Sequence, residues 1–289
     1  MSEAPSKPCP ICTASMSPAF SAKLLRRYSV QYFSCHRCGL LQTEKPYWLA
    51  EAYTNAIDEI DTGLVERCLS NRDSIVPIIH RLIGDDARLV DVGGGYGLLT
   101  RLLRDRGFDC YTFDRYCENV LARGFEPAPG FRADSLLAFE VLEHVEDPST
   151  FLADAFASYG CQTIIFSTTV FDGTIPPIDW WYYSLDSGQH ITFYQRRSLA
   201  HLAGKLGCSY LWLGGDLHLI SARAMRPIDQ VLLTNRRIFS LYRRVVRYTR
   251  RVPGKTWQDH LQRKAALNAT APDSGPMAQT LGGSSKSGD

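Results

Sequence analysis

Four cysteines near the N-terminus are spaced as two pairs that suit one metal ion. Cys9 and Cys12 form the first CxxC pair, and Cys35 and Cys38 form the second after 22 intervening residues. Each pair can present two thiolates to the same ion, and four thiolates match the tetrahedral preference of zinc. Gly39 follows the second pair and can adopt the positive φ that such a turn needs. Because four sulfur ligands leave no open coordination position, the spacing predicts a structural zinc site.

A glycine-rich turn lies between an apolar segment and a segment with helical spacing. Its acidic and glycine positions are Asp91, Gly93, Gly95 and Gly97. Glycines allow the backbone to turn sharply and to approach a ligand, and the N-terminus of the following helix favours polar or anionic groups. Asp114 ends the next predicted strand, where a carboxylate can accept hydrogen bonds from ribose hydroxyls. A dinucleotide fingerprint would require glycine at the position of Leu98, so a different nucleoside cofactor is favoured.

A third group of residues follows another apolar strand. Glu140, Glu143 and His144 are three and four residues apart, so they would share one face of a helical turn. His190 lies on a later loop that is predicted to reach the same edge of the sheet. A divalent metal held there would activate a hydroxyl group, whereas either histidine could serve as a general base without a metal. A third interpretation, in which Glu143 and His144 only brace the turn, also stays open.

Together these motifs resemble class I S-adenosylmethionine-dependent methyltransferases over residues 88–222. The resemblance rests on the DxGxGxG turn, on EVLEHV from Glu140 to Val145 and on GQHITF from Gly188 to Phe193. It implies an α/β, Rossmann-like class I methyltransferase domain with an N-terminal zinc ribbon and a C-terminal helical extension. It also implies that Asp91 and the glycines hold the amino-acid part of S-adenosylmethionine, that Asp114 holds its ribose, and that Phe139 adjoins the cofactor.

The resemblance extends to two kinds of acceptor. Zinc-knuckled members of the subfamily resemble enzymes of polysaccharide or secondary-metabolite pathways, which implies O-methylation of a sugar or polysaccharide precursor as the expected reaction. C-methylation of a nucleotide sugar is an alternative, although enzymes of that kind usually carry a further C-terminal domain that this chain is too short to hold. The ExxEH segment with a distant histidine also resembles the metal site of small-RNA 2′-O-methyltransferases, which implies Mg, Mn or Zn and salt-sensitive binding to RNA.

The sequence departs from the family between Tyr116 and Asp134. Only 17 residues separate the two positions, and Pro127 and Pro129 make the segment irregular. The usual third strand and the acid that contacts adenine are therefore not found there. The sequence assigns no adenine contact. A non-catalytic scaffold is a further alternative, against which the acids and glycines of the motifs argue.

Aromatic and basic segments flank the predicted site. Trp180, Trp181, Tyr182 and Tyr183 follow two prolines and suit either a platform for a sugar ring or a packing loop. Residues 231–251 are predicted to form one basic amphipathic helix. Its possible uses are docking to the body, contact with a membrane surface or pathway enzymes, and binding of a phosphorylated or nucleic-acid partner. Residues 226–267 contain eleven Lys or Arg and two Asp, although the formal net charge of the chain is only +2.

The elements that must position these residues are strands alternating with helices. Strands are predicted at 88–92, 110–113, 134–139 and 163–168. The predicted organisation is a zinc module (1–45), a helical connector (46–84), the α/β domain (85–225), a basic helical extension (226–267) and a disordered tail (268–289). The chain of 289 residues is 45% hydrophobic, and no apolar run approaches a membrane span. Its N-terminus lacks a signal peptide, so a cytoplasmic location is expected.

Overall fold

Strands and helices alternate through most of the chain. The computed structural model describes residues 6–53, 61–249 and 252–270. The strands are β1 (Lys7–Pro8), β2 (Ser15–Leu24), β3 (Tyr28–Ser34), β4 (Leu41–Thr43), β5 (Arg88–Val92), β6 (Asp109–Phe113), β7 (Ser135–Ala138), β8 (Thr163–Ser167), β9 (Thr192–Phe193), β10 (Ser209–Gly214) and β11 (Leu217–Ser221). The helices are α1 (Leu49–Ala52), α2 (Leu64–Leu82), α3 (Leu98–Arg104), α4 (Pro148–Tyr159), α5 (Arg196–Lys205), α6 (Pro227–Thr234), α7 (Arg236–Thr249) and α8 (Thr256–Thr270).

The central layer is a mixed sheet with the order β6-β5-β7-β8-β11-β10. The strands β6, β5, β7 and β8 are parallel, and β11 is antiparallel to both β8 and β10. Apolar side chains of α4 and α5 pack on one face, and those of α2, α3 and α7 pack on the other. The predicted α/β fold is thereby confirmed. The carboxyl ends of the four parallel strands lie on the same side of the sheet, and the candidate site lies at these ends.

Strand β6 lies at one edge of this sheet, next to β5. Residues 114–134 are fully described and contain no strand, as the short and proline-containing segment predicts. Asp134 instead directly precedes β7. Its backbone amide donates a hydrogen bond to the carbonyl oxygen of Arg88 at 2.8 Å. The sheet therefore lacks, among the described residues, the strand that usually lies outside β6.

The N-terminal ribbon joins the α/β domain through a shared sheet. Strands β1 to β4 are antiparallel, and β4 pairs with β9, so that Leu41 faces Phe193 and Gln42 faces Thr192. The Gln42 side chain donates hydrogen bonds to the Glu146 carbonyl oxygen at 2.6 Å and to Thr192 Oγ1 at 3.0 Å. The ribbon thus holds the segment that follows His190.

The C-terminal extension differs from the single helix predicted over residues 231–251. The chain leaves α6 at Asn235, whose backbone is extended, and resumes as α7. The Asn235 side-chain oxygen accepts hydrogen bonds from the amides of Arg237 and Ile238, which caps the new helix and explains the break. Residues 250 and 251 lie outside the described residues.

Helix α7 docks on the body, and α8 extends beyond its predicted end. Phe239, Tyr242 and Val246 of α7 pack against the helix-α2 side of the core, whereas Leu241 stays exposed. Residues 268–270, predicted to begin a disordered tail, are helical, and residues 271–289 of that prediction lie outside the described residues. Within the described part of the chain, no helix has the length and hydrophobicity needed to cross a membrane.

Candidate functional site

The glycine turn leaves β5 and enters α3. Its residues Gly93, Gly95 and Gly97 all have positive φ, at 74°, 55° and 82°. A side chain at Gly95 would point into open space, whereas one at Gly97 would collide with Asn119. Gly95 therefore leaves room for a ligand beside the backbone, and Gly97 permits close packing of the turn on the following loop.

Asp91 lies beneath the glycine turn. Its side chain is buried, and Thr100 donates a hydrogen bond to its Oδ2 atom at 3.4 Å. Burial raises the pKa of Asp91 to about 7, and repulsion from Asp114 adds to this shift. The carboxyl group is therefore poised to ionise when a cation approaches the turn.

Asp114 follows β6 and meets the glycine turn. Its Oδ2 atom accepts a hydrogen bond from the amide of Gly95 at 2.9 Å. Its Oδ1 atom accepts hydrogen bonds from the amides of Tyr116 and Cys117 at 2.7 and 2.9 Å. The carboxylate is thereby fixed at the end of β6 with acceptor capacity left for a ligand hydroxyl. Phe139, the other predicted cofactor neighbour, is half-buried and packs towards the helix-α2 side of the core.

The segment after β7 packs against the glycine turn. A side chain at Gly93 would collide with Val141, so residues 140–144 lie directly beside the glycines. Residues 142–144 form a single turn of 3-10 helix. The amide of Ile191 donates a hydrogen bond to the Glu143 carbonyl oxygen at 2.8 Å, which ties this segment to the loop that carries His190.

His144 and His190 lie together, with ring centroids 4.9 Å apart and ring planes nearly perpendicular. Nδ1 of His190 lies 2.7 Å from the Tyr182 carbonyl oxygen, and Nδ1 of His144 lies 3.1 Å from the Gln189 carbonyl oxygen. Carbonyl oxygens only accept, so the contact of His190 places the proton on its Nδ1 atom and leaves its Nε2 atom with a free lone pair. Nδ1 of His144 also lies 2.9 Å from the Tyr53 hydroxyl, which can donate to it, so either ring nitrogen of His144 can carry the proton. Burial lowers the pKa of His144 to about 3 and that of His190 to about 4, which keeps both rings neutral.

Glu143 completes a cluster with the two histidines. One ligand atom from each of Glu143, His144 and His190 lies within 4.8 Å of the others. The Glu143 side chain is fully buried, and neither carboxyl oxygen has a hydrogen bond of normal geometry among the described residues, although the side chains of Tyr182 and Thr168 lie close enough to lower its pKa. Burial raises the pKa of Glu143 to about 8, with a further contribution from Glu140. A buried carboxyl group without partners is costly, and a bound cation would offset that cost.

Glu140 does not share the helical face predicted for it. Its backbone has a φ of 55°, in the left-handed region, so residues 140–144 are not one continuous helical turn. Its Oε1 atom accepts a hydrogen bond from Ser167 Oγ at 2.6 Å, and the backbone amide of Glu140 donates a hydrogen bond to Ser167 Oγ at 2.9 Å. Glu140 therefore faces the end of β8, outside the cluster formed by the other three residues. Left-handed backbone at a non-glycine residue is rare and often marks a functional site.

The aromatic loop divides between packing and exposure. Tyr182 and Tyr183 are buried, Trp180 is half-buried, and Trp181 is 72% exposed. The Tyr182 hydroxyl accepts a hydrogen bond from the Thr169 amide at 3.0 Å, while its carbonyl oxygen holds His190. The packing interpretation thus applies to the tyrosines, and only Trp181 presents a free aromatic face.

Two side chains near the cluster carry no signal in the sequence. The Tyr53 hydroxyl lies 2.9 Å from Nδ1 of His144, and its ring stacks on Tyr116 with centroids 5.3 Å apart. Arg67 pairs with Asp61 at 2.7 Å and stabilises the charged form of Glu140. Tyr53 therefore connects the histidine pair to the loop that Asp114 begins, across a sequence separation that no spacing rule reveals.

The four N-terminal cysteines form a separate cluster. Their sulfur atoms all lie within 4.8 Å of one another, with 3.6 Å between Cys9 and Cys38 and 3.4 Å between Cys12 and Cys35. All four are free thiols. Gly39 has a φ of 82°, as its position predicts. The edge of a tetrahedron with zinc–sulfur bonds of about 2.3 Å is about 3.8 Å long, so the four sulfurs fit a single zinc ion.

The chain was compared with families and with solved structures. The family model described as a methyltransferase domain matches residues 67–212, slightly more than half of the chain. The comparison with curated proteins gives no match. Similar solved structures include the magnesium protoporphyrin IX methyltransferase of Synechocystis PCC 6803 with bound S-adenosylmethionine, at 15% identity and a TM-score of 0.37, over 61% of this chain and 90% of that one.

Two further structures come from methyltransferases. CalO1, a methyltransferase in calicheamicin biosynthesis, is 15% identical with a TM-score of 0.41, over 60% of this chain and 61% of that one. The mitomycin 7-O-methyltransferase MmcR is 18% identical with a TM-score of 0.37, over 60% of this chain and 65% of that one. These likenesses carry no argument about the acceptor. By the family match, which covers slightly more than half of its residues, the chain belongs to the methyltransferase-domain family.

Proposed function

We propose that the protein transfers the methyl group of S-adenosylmethionine to a hydroxyl oxygen of a small molecule. The observation that carries this proposal is the His144–His190 pair, in which Nδ1 of His190 faces a carbonyl oxygen and its Nε2 atom is left as a proton acceptor. His144 lies on the segment whose Val141 packs against Gly93 of the glycine turn, and the loop of His190 is hydrogen-bonded to that segment. When bound there, the cofactor supplies an electrophilic methyl group. The histidines would accept the proton of the hydroxyl that attacks it.

The residues of the glycine turn suit the cofactor. Gly95 leaves open space beside the backbone, and Asp114 is fixed one hydrogen bond away, where ribose hydroxyls can donate to it. Asp91 is a buried carboxyl group that an ammonium group would ionise. We assign the amino-acid end of the cofactor to Asp91 and Gly95, and its ribose to Asp114.

A divalent metal at Glu143, His144 and His190 is a second candidate for activating the hydroxyl. The unpartnered carboxyl oxygens of Glu143 favour it, because two imidazoles and one carboxylate are a common ligand set. Both histidines also have the carbonyl contact on the opposite ring nitrogen that metal-binding histidines usually show. A metal bound there would lower the pKa of the acceptor hydroxyl, and Mg, Mn and Zn are the candidates.

For the acceptor we propose a sugar or a polysaccharide precursor. Trp181 offers an exposed aromatic face next to Tyr182, whose carbonyl oxygen orients His190. Aromatic faces of this kind bind the apolar face of sugar rings. The test is methyl transfer from isotopically labelled S-adenosylmethionine to a panel of nucleotide sugars, free sugars and phenols. Transfer to phenols but to no sugar would overturn this part of the proposal.

Asp91 predicts a dependence of stability on pH. A carboxyl group whose pKa rises from 3.8 to about 7 on folding keeps its proton in the folded chain after the unfolded chain has lost it. The free energy of unfolding should therefore fall as the pH rises through this interval, by roughly 4 kcal/mol. Asp91→Asn should remove this contribution to the fall and raise the melting temperature of the cofactor-free protein above neutral pH, as calorimetry can measure.

Binding of S-adenosylhomocysteine should show the opposite pH trend. Its ammonium group favours ionised Asp91, so affinity should rise as the pH passes about 7, and Asp91→Asn should bind weakly at every pH. Asp154→Asn, at an exposed carboxylate on α4, is the matched control and should show neither change. A binding constant that Asp91→Asn leaves intact would contradict the assignment of Asp91 to the cofactor.

A further inference from the structure

The edge of the sheet beyond Asp114 is covered by the C-terminal helix α8. Arg104 of α3 donates two hydrogen bonds to Asp259 of α8, at 2.8 and 2.7 Å, and both side chains are almost fully buried. Arg101 adds a second ion pair to Asp259 at 2.8 Å. A buried, bidentate carboxylate–guanidinium pair fixes orientation, so α8 is held in one position against β6 and α3.

Backbone contacts keep this docking close. A side chain at Gly254 would collide with the Asp105 carbonyl oxygen, and one at Gly107 would collide with Val252. Thr256 Oγ1 also donates a hydrogen bond to Asp105 at 2.8 Å. Helix α8 thus lies beside β6, where the sheet has no further strand within residues 114–134.

A cavity of about 510 Å³ lies between α8 and the end of β6. Phe113 and Asp114, at the end of β6, and Arg263 of α8 are among its lining residues. Arg263 is half-buried, makes no ion pair with any described residue and lies against Gly124, where any side chain would collide with it. The carboxylate assigned to ribose and an unpaired guanidinium group therefore line the same cavity.

The lining suits a neutral heterocycle with both donors and acceptors. Phe113 is 49% exposed and offers an aromatic face. Asn119 donates a hydrogen bond to Glu126 at 2.5 Å, and both line the cavity together with Glu118. Three carboxylates, including Asp114, would repel a phosphate group, so Arg263 is not the centre of an anion site. Adenine has an amino donor and ring nitrogen acceptors that match carboxylate and guanidinium partners.

We propose that α8 completes the adenine end of the cofactor pocket, in place of the strand that this sheet lacks, and that Arg263 contacts the base. This inference rests on the proposed assignment of S-adenosylmethionine to the glycine turn. It gives the C-terminal extension a defined task in cofactor binding. It also places the contacts with the base on the loop of residues 114–134, which contains no strand, and on a helix distant in sequence.

The test is calorimetric titration of the full chain with S-adenosylhomocysteine. Arg263→Ala should weaken binding about 10- to 100-fold, as expected for loss of a hydrogen bond from a charged group. Lys264→Ala, at the next and exposed residue of α8, is the matched control and should bind like the wild type. Both variants should keep the wild-type melting temperature, because neither residue forms the ion pairs that dock α8.

A second ligand locates the effect on the base. Arg263→Ala should weaken binding of 5′-methylthioadenosine, which lacks the amino-acid group, by the same factor as binding of S-adenosylhomocysteine. Failure of the wild type to bind S-adenosylhomocysteine, or full binding by Gly95→Val, would overturn the cofactor assignment itself. Binding that Gly95→Val abolishes while Arg263→Ala leaves unchanged would overturn only the role of α8. An Arg263→Ala effect on S-adenosylhomocysteine without one on 5′-methylthioadenosine would also overturn it.

Discussion

Cys35→Ser is expected to abolish binding of the single zinc ion that the purified wild type should contain, and to unfold the N-terminal ribbon. The four sulfurs are already arranged within 4.8 Å of one another, so one zinc ion needs little rearrangement. Structural zinc sites contribute about 10–16 kcal/mol in small zinc-binding peptides at neutral pH. Loss of the ion should therefore remove more stability than the ribbon, with its few strands, can replace.

The effect should reach the catalytic side of the molecule. Strand β4 of the ribbon pairs with β9, and the amide of Thr43 donates a hydrogen bond to the Ile191 carbonyl oxygen at 3.0 Å, next to His190. Unfolding of the ribbon would release this loop, so Cys35→Ser should also lose most methyl transfer. The glycine turn makes its contacts outside the ribbon. The affinity for S-adenosylhomocysteine should therefore fall less than turnover does.

Metal analysis, calorimetry and turnover together test this prediction. Cys208→Ser is the control, because Cys208 is a free thiol outside the four-cysteine cluster. It should keep one zinc per chain and the wild-type melting temperature. Purified wild type without zinc, or Cys35→Ser with an unchanged melting temperature, would rule out a structural zinc site.

Local patterns in the sequence were enough to predict the four parallel strands of the central sheet, but not the antiparallel strands β10 and β11. Buried parallel strands appear as short apolar runs, and the predicted 88–92 matches β5 residue for residue. The glycine turn was predictable because positive φ values strongly favour glycine. The two CxxC pairs were predictable because their spacing carries the ligand geometry locally.

Contacts between distant segments were beyond such reasoning. Nothing in the spacing of residues indicates that β4 would pair with β9 or that Asp259 would meet Arg104. Side-chain burial was equally hidden in the aromatic loop, where Tyr182 is buried and the adjacent Trp181 is exposed. Composition gives an average polarity, whereas burial depends on which face of a turn meets the core.

The departure at Glu140 has a similar cause. An ExxEH segment predicts one shared helical face only if the backbone is helical throughout. Glu140 instead has left-handed backbone, because its amide and carboxylate both bind the Ser167 hydroxyl. The hydrogen bonds to a residue of β8 therefore outweigh the local helical preference and separate Glu140 from Glu143.

His190→Ala is expected to lower kcat about 100- to 10,000-fold, as removal of a general base usually does. Its affinity for S-adenosylhomocysteine should stay close to that of the wild type, because the assigned cofactor contacts are made by Asp91, Gly95 and Asp114. His201→Ala, at an exposed histidine of α5, is the matched control and should leave both quantities unchanged. An equal loss of cofactor affinity in His190→Ala would place this residue in the cofactor pocket instead.

Glu143→Gln separates the two ways in which the pair can activate a hydroxyl. Glutamine keeps the size of the side chain but is a poor metal ligand, so a metal-dependent enzyme should lose most turnover and its binding of Mn²⁺ in a titration. A metal-free enzyme should keep its turnover, since the histidines alone accept the proton. A chelator too weak to remove zinc from four cysteines should reversibly inhibit only the metal-dependent enzyme. Full turnover in His144→Ala and His190→Ala alike would exclude both mechanisms, because each requires a ring nitrogen of this pair as proton acceptor or metal ligand.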